Sequence, residues 1–314
     1  MRVLLATAAA MLLLATACGD DSSDSSSTSA SSGGAAAGGA TFTFTPLDVG
    51  GPLTKAALEK GDIDVALLFS SDGAIAKNSW VALEDDKKLQ SVDNFVPAVR
   101  QDKATTDVVA VLDAVNAKLT KEEMQKAVAA VSIDGQNPED VAKKFLADNN
   151  LPGSLKATGT FVVGGANFAE SGFAAQLYGQ ALQAAGATVT FKLDFGAREA
   201  YEPALASGEL DLVPEFVGTL DTFLGGTATN DLDKTLAEAK TKAEAKGYTL
   251  TEPAPADSVN TFVVTKATAD KYKLSKVSDL ASVTDALKFG GPPECPTRPL
   301  CLVGLKDTYG LKFA

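Results

Sequence analysis

Few side chains in this sequence are suited to catalysis. The 314 residues include no histidine, which is the commonest general base and the commonest zinc ligand in proteins. A Ser-His-Asp or Cys-His mechanism is therefore excluded, and no Gly-x-Ser-x-Gly nucleophile motif is present. Serine–lysine or paired-carboxylate chemistry stays formally open. The residue types favour a protein that is not an enzyme, with no catalytic residues, no metal and no cofactor.

Two cysteines near the C-terminus form the clearest chemical pair. Cys295 and Cys301 enclose the segment Pro-Thr-Arg-Pro-Leu. Outside the cytoplasm such a pair most simply forms a disulfide. A loop this small gains about 2–3 kcal/mol at most from the cross-link, so we expect the bond mainly to hold the shape of the loop. No further Cys or His follows the N-terminal segment to complete a metal site.

The first 40 residues predict export and anchoring. Arg2 precedes an apolar run, residues 3–17, that ends in small residues before Cys18, as in a secretory signal peptide. The run is shorter than the roughly 20 residues that a membrane-spanning helix needs. Cys18 at this place resembles the lipobox of bacterial lipoproteins, which implies a diacylated cysteine; an ordinary signal with an incidental cysteine is the alternative. We assign 1–17 to a lipoprotein signal peptide and 18–40 to a lipid anchor and flexible tether.

Charge and length bound the remaining chain. Removal of Arg2 with the signal leaves a net charge of 27 − 40 = −13, which argues against nucleic acid and against a polybasic membrane patch. The roughly 270 residues after the tether suffice for two lobes of ordinary size.

An internal sequence repeat also predicts two lobes. One stretch has Leu47-Asp48-x-Gly, then Ala-Leu-x-x-Gly-Asp-Ile-Asp and an apolar run; a second has Leu193-Asp194-x-Gly, then Ala-Leu-x-x-Gly-Glu-Leu-Asp and an apolar run. Both stretches predict strand, loop, helix and buried parallel strand. Similar βαβ units at distant positions favour two similar α/β lobes, although unrelated βαβ units also look alike.

Several motifs together resemble one family. They are Gly165-Ala-Asn-Phe-Ala-Glu170, Gly196-Ala-Arg-Glu199, Ser207-Gly-Glu-Leu-Asp-Leu-Val-Pro-Glu-Phe-Val-Gly-Thr219, Asn260-Thr-Phe262, and Leu47-Asp-x-Gly-Gly-Pro-Leu-Thr54. The sequence is similar to the glycine betaine/choline-type (quaternary ammonium compound) substrate-binding proteins of ABC importers. The resemblance runs from Thr41 to Ala314. It implies an α/β, two-lobed periplasmic-binding-protein fold of type II-like class.

The motifs do not follow the order of that family. Family members usually begin at the strand matching Thr160–Gly164, whereas this chain begins at the Leu47 region and ends at Ala314. The sequence is therefore interpreted as circularly permuted, with residues 149–159 joining the former ends; a truncated tandem array is the alternative. This order predicts a continuous lobe I, 71–259, and a split lobe II, 41–70 plus 260–314.

The resemblance also implies a ligand cage. A quaternary ammonium group is held by aromatic faces through cation–π attraction, and Phe216, Phe262 and Phe69 match three cage tyrosines of the family. Asp93 matches the fourth by a looser alignment. Each residue also has an alternative role that involves no ligand. A phenylalanine at a strand end is often a core residue, and Asp93 is equally consistent with a solvated loop acid.

Polar candidates complete the expected site. Arg298 in the cysteine loop is the candidate for a ligand carboxylate, with a simple ion pair to Glu294 as its alternative. Asn167 and Thr219 are polar candidates at turns. Phenylalanine lacks the tyrosine hydroxyl and Asp93 replaces a ring with a charge, so choline or a primary amine competes with glycine betaine as the ligand.

These features predict the function. We expect a monomeric lipoprotein on the outer face of the cytoplasmic membrane that delivers a quaternary ammonium osmoprotectant to an ABC permease. The alternatives are a sensor or binding protein for another small cationic or amino-acid-like solute, and a non-transport lipoprotein on the same scaffold, since a fold alone does not fix a function.

Overall fold

The computed structural model describes residues 41–48, 50–196 and 198–314. The strands, in chain order, are β1 (Thr41–Pro46), β2 (Val65–Phe69), β3 (Val81–Ala82), β4 (Phe95–Arg100), β5 (Thr160–Gly164), β6 (Thr188–Lys192), β7 (Leu212–Phe216), β8 (Tyr248–Leu250), β9 (Asn260–Val264), β10 (Lys288–Gly291) and β11 (Lys312–Phe313). They form two separate sheets, ordered β11-β1-β10-β2-β9-β3 and β6-β5-β7-β4-β8. The expected two-lobed α/β architecture is therefore confirmed.

Helices cover both sheets. In chain order they are α1 (Pro52–Lys60), α2 (Gly73–Lys77), α3 (Thr106–Asn116), α4 (Lys121–Ser132), α5 (Pro138–Asp148), α6 (Ala169–Ala185), α7 (Arg198–Ser207), α8 (Val217–Phe223), α9 (Leu232–Glu244), α10 (Lys266–Tyr272) and α11 (Gly304–Tyr309), with 3-10 turns at Val277–Ser282 and Cys295–Thr297. Polar N-cap residues explain where several helices begin. The side chain of Thr120 accepts a hydrogen bond from the Glu123 amide at the start of α4, and the side chain of Asn137 accepts one from the Glu139 amide at the start of α5. Helix α1 ends at Gly61, whose φ of 77° is the left-handed conformation that glycine favours.

The two sheets share one strand arrangement, which gives the internal sequence repeat a structural basis. In each, the two strands of the βαβ unit flank a third strand: β10 lies between β1 and β2, and β5 between β6 and β7. Next in each sheet comes an antiparallel strand, β9 beside β2 and β4 beside β7. Strands β2 and β7 end in Phe69 and Phe216, so these residues hold equivalent places at the carboxyl ends of their strands.

Each lobe has its own core. In the lobe of the five-stranded sheet, helices α3–α6 cover one face and α7–α9 the other, around the fully buried Tyr178 and Tyr248. In the lobe of the six-stranded sheet, Phe262 and Phe289 lie in the larger cluster and Leu58 and Ile63 in the smaller one. Both sheets bury apolar strands on two faces, as parallel sheets of α/β proteins do.

One segment departs from the predicted lobe boundary. Strand β3 pairs with β9 in antiparallel register, Val81 opposite Val264, and Glu84 bridges to Lys276. This short part of 71–259 therefore lies with the split lobe. Two strand residues carry too little hydrophobic pattern to be assigned from the sequence.

Extended segments connect the lobes. Asn94 and Asp257 form an isolated antiparallel bridge where two of these segments run side by side. Ser71 and Ser258 hydroxyls lie 3.0 Å apart, and the Ser70 amide donates to the Val259 carbonyl at 2.8 Å. A few hydrogen-bonded extended residues between two separately packed cores are typical of a hinge.

Candidate ligand-binding cleft

The carboxyl ends of β2 and β7 open onto one cleft. Two cavities of about 430 and 560 Å³ meet there and share Phe69, Asp93, Thr219 and Ser258 in their walls. Phe69 belongs to the lobe of the six-stranded sheet and Thr219 to the lobe of the five-stranded sheet. Ligands of α/β proteins usually bind outside the carboxyl ends of the strands. The cleft between the lobes is therefore the candidate binding site.

Phenylalanine rings form the apolar part of the cleft. Phe216 is half-buried, and its ring centroid lies 6.1 Å from that of Phe168 in a stacked arrangement and 4.4 Å from that of Phe95. Phe69 and Phe168 are 39% and 44% exposed, unusually high values for phenylalanine. Exposed aromatic faces around a cavity offer cation–π attraction of about 0.5–2 kcal/mol per ring to a bound cation.

Asp93 supplies a carboxylate to the same cavity. Its Oδ1 accepts the backbone amides of Gly218 and Thr219, both at 2.9 Å. Burial raises the pKa of Asp93 to about 6, against the opposing effects of these hydrogen bonds and of the Arg198 charge. Among the described residues, Oδ2 has no hydrogen-bond partner within the protein. One oxygen therefore fixes the side chain and the other stays available to a ligand.

A buried ion pair supports this wall of the cleft. Arg198 at the start of α7 donates through Nε to Glu215 Oε1 at 3.0 Å and through a terminal nitrogen to Oε2 at 2.7 Å. The same terminal nitrogen also donates to Thr219 Oγ1 at 2.9 Å. Burial alone would lower the pKa of Arg198, but the hydrogen bonds and charge of Glu215 outweigh it and raise that pKa. The pair ties α7, β7 and α8 together beside the phenylalanine rings.

The start of α6 closes the rim. Asn167 and Phe168 are exposed immediately before the helix, and Phe168 gives it no side-chain cap. Glu170 in the first turn accepts the Ser71 hydroxyl at 3.0 Å, a hydrogen bond that ties the helix to a segment connecting the lobes. Helix α6 begins at Ala169, two residues after Asn167.

The structure brings most of the predicted site residues together. The five that line the cleft are Phe216, Phe69, Asn167, Thr219 and Asp93. Phe262 and Arg298 are not among the lining residues.

Phe262 lies in the core of the split lobe. Its side chain is 1% exposed and packs against Phe289, with ring centroids 5.5 Å apart. Asn260, at the first position of β9, lines the cleft instead. Phe262 lies on the same face two residues further along the strand, which places it about 7 Å deeper in the sheet.

Arg298 points away from the cavity walls. Its side chain is 54% exposed and lies 3.5 Å from Glu294, the simple ion pair weighed as the alternative. Cys295 and Cys301 are bonded, with Cα atoms 5.3 Å apart. The loop presents Leu300 to the cleft, and the Leu300 carbonyl accepts a hydrogen bond from Gln90 Nε2 at 3.1 Å.

Sequence reasoning assigned no role to several cleft residues. They are Phe168, Arg198, Glu170, Tyr201 and Leu300. Phe168 and Arg198 stand inside motifs that carried the family resemblance, so their place in those motifs was the available signal.

Some predictions fall on other parts of the chain. Cys18, the predicted lipidation site, and the signal and tether lie outside the described residues. Within residues 41–48, 50–196 and 198–314, no helix combines the length and apolarity needed to cross a bilayer. In the same residues no group of three or more Cys, Asp or Glu side chains is placed to hold a metal ion.

The paired α/β lobes and the cleft between them define a solute-binding protein of type II fold. The sequence comparison identifies the family. Residues 39–148 and 159–314 match the family of substrate-binding domains of ABC-type glycine betaine transport systems, and the chain belongs to that family. Its members bind solutes outside the cytoplasm and are not enzymes.

Curated relatives are similar over part of the chain. The glycine betaine-binding protein YehZ of Escherichia coli (strain K12) is 27% identical over 178 residues, covering 54% of this chain and 57% of YehZ. The carnitine transport binding protein OpuCC of Listeria monocytogenes serotype 1/2a (strain 10403S) is 31% identical over 112 residues, covering 33% of this chain and 34% of OpuCC. The matched region thus takes in less than two thirds of either relative.

The solved structures that match this chain are more distant. A peptide-binding protein AppA from Clostridium difficile has a TM-score of 0.33 at 12% identity, over 68% of this chain and 53% of that one. The murein tripeptide-binding protein MppA, in an unliganded open form, also has a TM-score of 0.33, at 10% identity, over 75% of this chain and 54% of that one.

Proposed function

We propose that this protein captures a quaternary ammonium solute of the glycine betaine/choline class in its cleft and delivers it to an ABC permease. The observation that carries the proposal is the convergence of Phe69, Phe168 and Phe216 with the carboxylate of Asp93 around one cavity. An onium group has no ordinary hydrogen-bond donors, so aromatic faces and a negative charge are what it requires. The two relatives, a glycine betaine-binding and a carnitine transport binding protein, support the same ligand class.

Closure of the lobes would couple binding to delivery. The rings that would hold the ligand come from both sheets, Phe69 from one and Phe216 from the other. A ligand that contacts both lobes favours the closed arrangement by its differential affinity for the two states. Extended segments such as 91–94 and 257–260 would absorb the rotation, and the closed lobes would present their joint surface to the permease.

We also propose that the chain is anchored and circularly permuted. The lipobox-like Cys18 supports anchoring, because a flexible tether lets a lipid-held body reach a membrane partner. The two matched segments, 39–148 and 159–314, support the permutation, since the gap between them coincides with the predicted junction 149–159. In this interpretation one continuous chain segment builds the five-stranded lobe, and two separate segments build the six-stranded lobe.

Calorimetric titration tests the ligand class. We expect saturable micromolar binding of at least one of glycine betaine, choline, carnitine and proline betaine to the purified protein. Phe216→Ala should weaken it about tenfold or more, since a cation–π contact of about 0.5–2 kcal/mol is lost together with its apolar surface. Phe44→Ala is the matched control, because Phe44 is also half-buried but lies outside the cleft walls. A folded protein that binds none of the four solutes would refute the proposal.

Cellular experiments test anchoring and delivery. Labelling with a radioactive fatty acid should mark the protein and should be lost in Cys18→Ala. Uptake of the bound solute should fall when the gene is deleted. Unchanged uptake, with binding intact, would favour the alternative of a sensor that reports the solute to another envelope protein.

A further inference from the structure

We infer that the cleft selects solutes with a net positive charge over zwitterions, and that Asp93 is the residue that sets this preference. The inference rests on the proposed function, because it concerns the same cavity. It makes choline, which has no carboxylate, a better ligand than glycine betaine.

Among the described residues of the cleft, no basic side chain is available for a ligand carboxylate. Arg198 is the sole Lys or Arg among the described residues that line the two cavities. Glu215, whose side chain is 2% exposed, holds it in a bidentate pair, and Thr219 takes a further hydrogen bond. A ligand carboxylate would have to displace a buried glutamate that has no other cation to pair with in this network. Breaking a buried pair is strongly unfavourable.

The acidic side chains have the opposite status. Asp93 keeps Oδ2 free of hydrogen bonds within the described part of the protein, while Oδ1 is fixed by two amides. Glu170 and Glu199 also line the cavity and have no partner of opposite charge among the ion pairs formed by the described residues. A cation entering between the rings meets an oriented carboxylate, and charge-assisted contacts of this kind are the strong ones.

One feature of the cleft favours anions, but a neighbouring carboxylate outweighs it. The start of α6 directs the positive end of a 17-residue helix toward the cavity, equivalent to about half an elementary charge. Glu170 in the first turn places a full negative charge on that same end. The balance around the cavity stays negative, so a zwitterion gains from its onium end and loses at its carboxylate end.

Three related solutes measure this preference in the native protein. Choline, glycine betaine and 3,3-dimethyl-1-butanol, a neutral analogue of choline with the same shape, are titrated into the full chain by calorimetry. We expect choline to bind about tenfold or more tightly than either of the other two, as a hydrogen-bonding or ionic contact to a charged group is worth that much. This comparison needs no variant and does not depend on how a substitution affects folding.

Asp93→Asn then isolates the residue. The amide oxygen can still accept from the Gly218 and Thr219 amides, so the variant removes the charge and keeps the shape. Its choline affinity should fall about ten- to a hundredfold, its affinity for 3,3-dimethyl-1-butanol should stay unchanged, and the preference for choline over glycine betaine should disappear. Asp134→Asn is the matched control, since Asp134 pairs with Lys77 on the surface and lies outside the cleft.

The outcomes separate the two proposals. Tighter binding of glycine betaine than of choline to the native protein overturns the inference and leaves the proposed function standing. Equal binding of choline and its neutral analogue, or an unchanged choline affinity in a folded Asp93→Asn variant, also overturns it. Absence of binding by every quaternary ammonium solute defeats the proposed function itself, and the inference with it.

Discussion

Arg198 and Arg298 each pair with a glutamate, yet the two pairs occupy very different surroundings. The Arg198–Glu215 pair has side chains 18% and 2% exposed, two parallel hydrogen bonds and a third to Thr219. The Arg298–Glu294 pair has side chains 54% and 53% exposed and a single approach of 3.5 Å. One pair organises the wall of the cleft, whereas the other lies on the outside of the disulfide loop.

The difference shows what a sequence motif leaves undetermined. Arg198 stands in a motif that carried the family resemblance, whereas Arg298 was the predicted carboxylate ligand because it lies in the cysteine loop. In the fold, the loop turns Leu300 toward the cavity and Arg298 toward solvent. Burial and hydrogen bonding, which depend on the packing of three elements, distinguish the pairs.

The largest effect is expected from breaking the buried pair. Arg198→Met should lower the free energy of unfolding by about 3–5 kcal/mol, because Glu215 is left buried without its partner. Urea unfolding measures this loss. The double variant Arg198→Met/Glu215→Leu should recover most of it, since an apolar replacement of both partners removes the uncompensated charge. A single variant as stable as the native protein would mean that water solvates Glu215 and that the pair is not structural.

Asp93 should make stability depend on pH. Its pKa rises from the ordinary 3.8 to about 6 in the folded protein, chiefly through burial, with Glu215 also raising it and Arg198 and the α8 amides opposing. The folded form thus binds the proton more tightly than the unfolded chain. The stabilisation from this group is complete below about pH 4 and is lost as pH rises through about 6.

The isosteric variant isolates this dependence. Asp93→Asn should unfold like the native protein near pH 4 but be more stable by about 2–3 kcal/mol at pH 8. Urea unfolding of both proteins across this range gives the difference as a function of pH. A constant difference between the two curves would contradict the expected titration. A bound cation should offset the same charge, so ligand stabilisation of the native protein should grow as the pH rises.

Phe262 and Phe216 permit a second contrast, between core and cleft. Phe262→Leu should cost about 1–2 kcal/mol of stability because its ring fills the core against Phe289, while leaving ligand affinity unchanged. Phe216→Leu should change stability less and weaken binding more, since its half-buried ring faces the cavity. Thermal unfolding and titration of both variants check the pair of effects. Loss of affinity in Phe262→Leu, at unchanged stability, would show that Phe262 contacts the ligand.

Most of the fold could be predicted because the signals for it are local. Helices α4 (Lys121–Ser132) and α5 (Pro138–Asp148), for example, begin at capping residues that can be recognised in the sequence. The doubled βαβ pattern predicted two lobes of one plan. Strand β3 was missed because its two residues form a strand only through pairing with β9.

Those parts of the site that lie at strand ends could be predicted from the sequence. Phe69 and Phe216 close short apolar strands, so the position of a cleft at the carboxyl ends followed from the parallel arrangement. The depth of Phe262 depends on the register of β9 against β2, in which Asn260 lies opposite Phe69 and Phe262 lies opposite Leu67. The role of Arg198 required knowledge of its distance to Glu215, 17 residues away in the chain.

The smallest effect is expected at the disulfide loop, and it completes the comparison of the two arginines. Arg298→Met should change the free energy of unfolding by less than about 0.5 kcal/mol, since an exposed pair gains little against solvent and side-chain entropy. Affinities for choline and glycine betaine should stay as in the native protein, because Leu300 and not Arg298 faces the cavity. A selective loss of glycine betaine binding would show that the loop turns Arg298 inward when the lobes close. The carboxylate would then have a cationic partner that the cleft in its present arrangement lacks, and the preference inferred for cations would be reduced to the contribution of Asp93 alone.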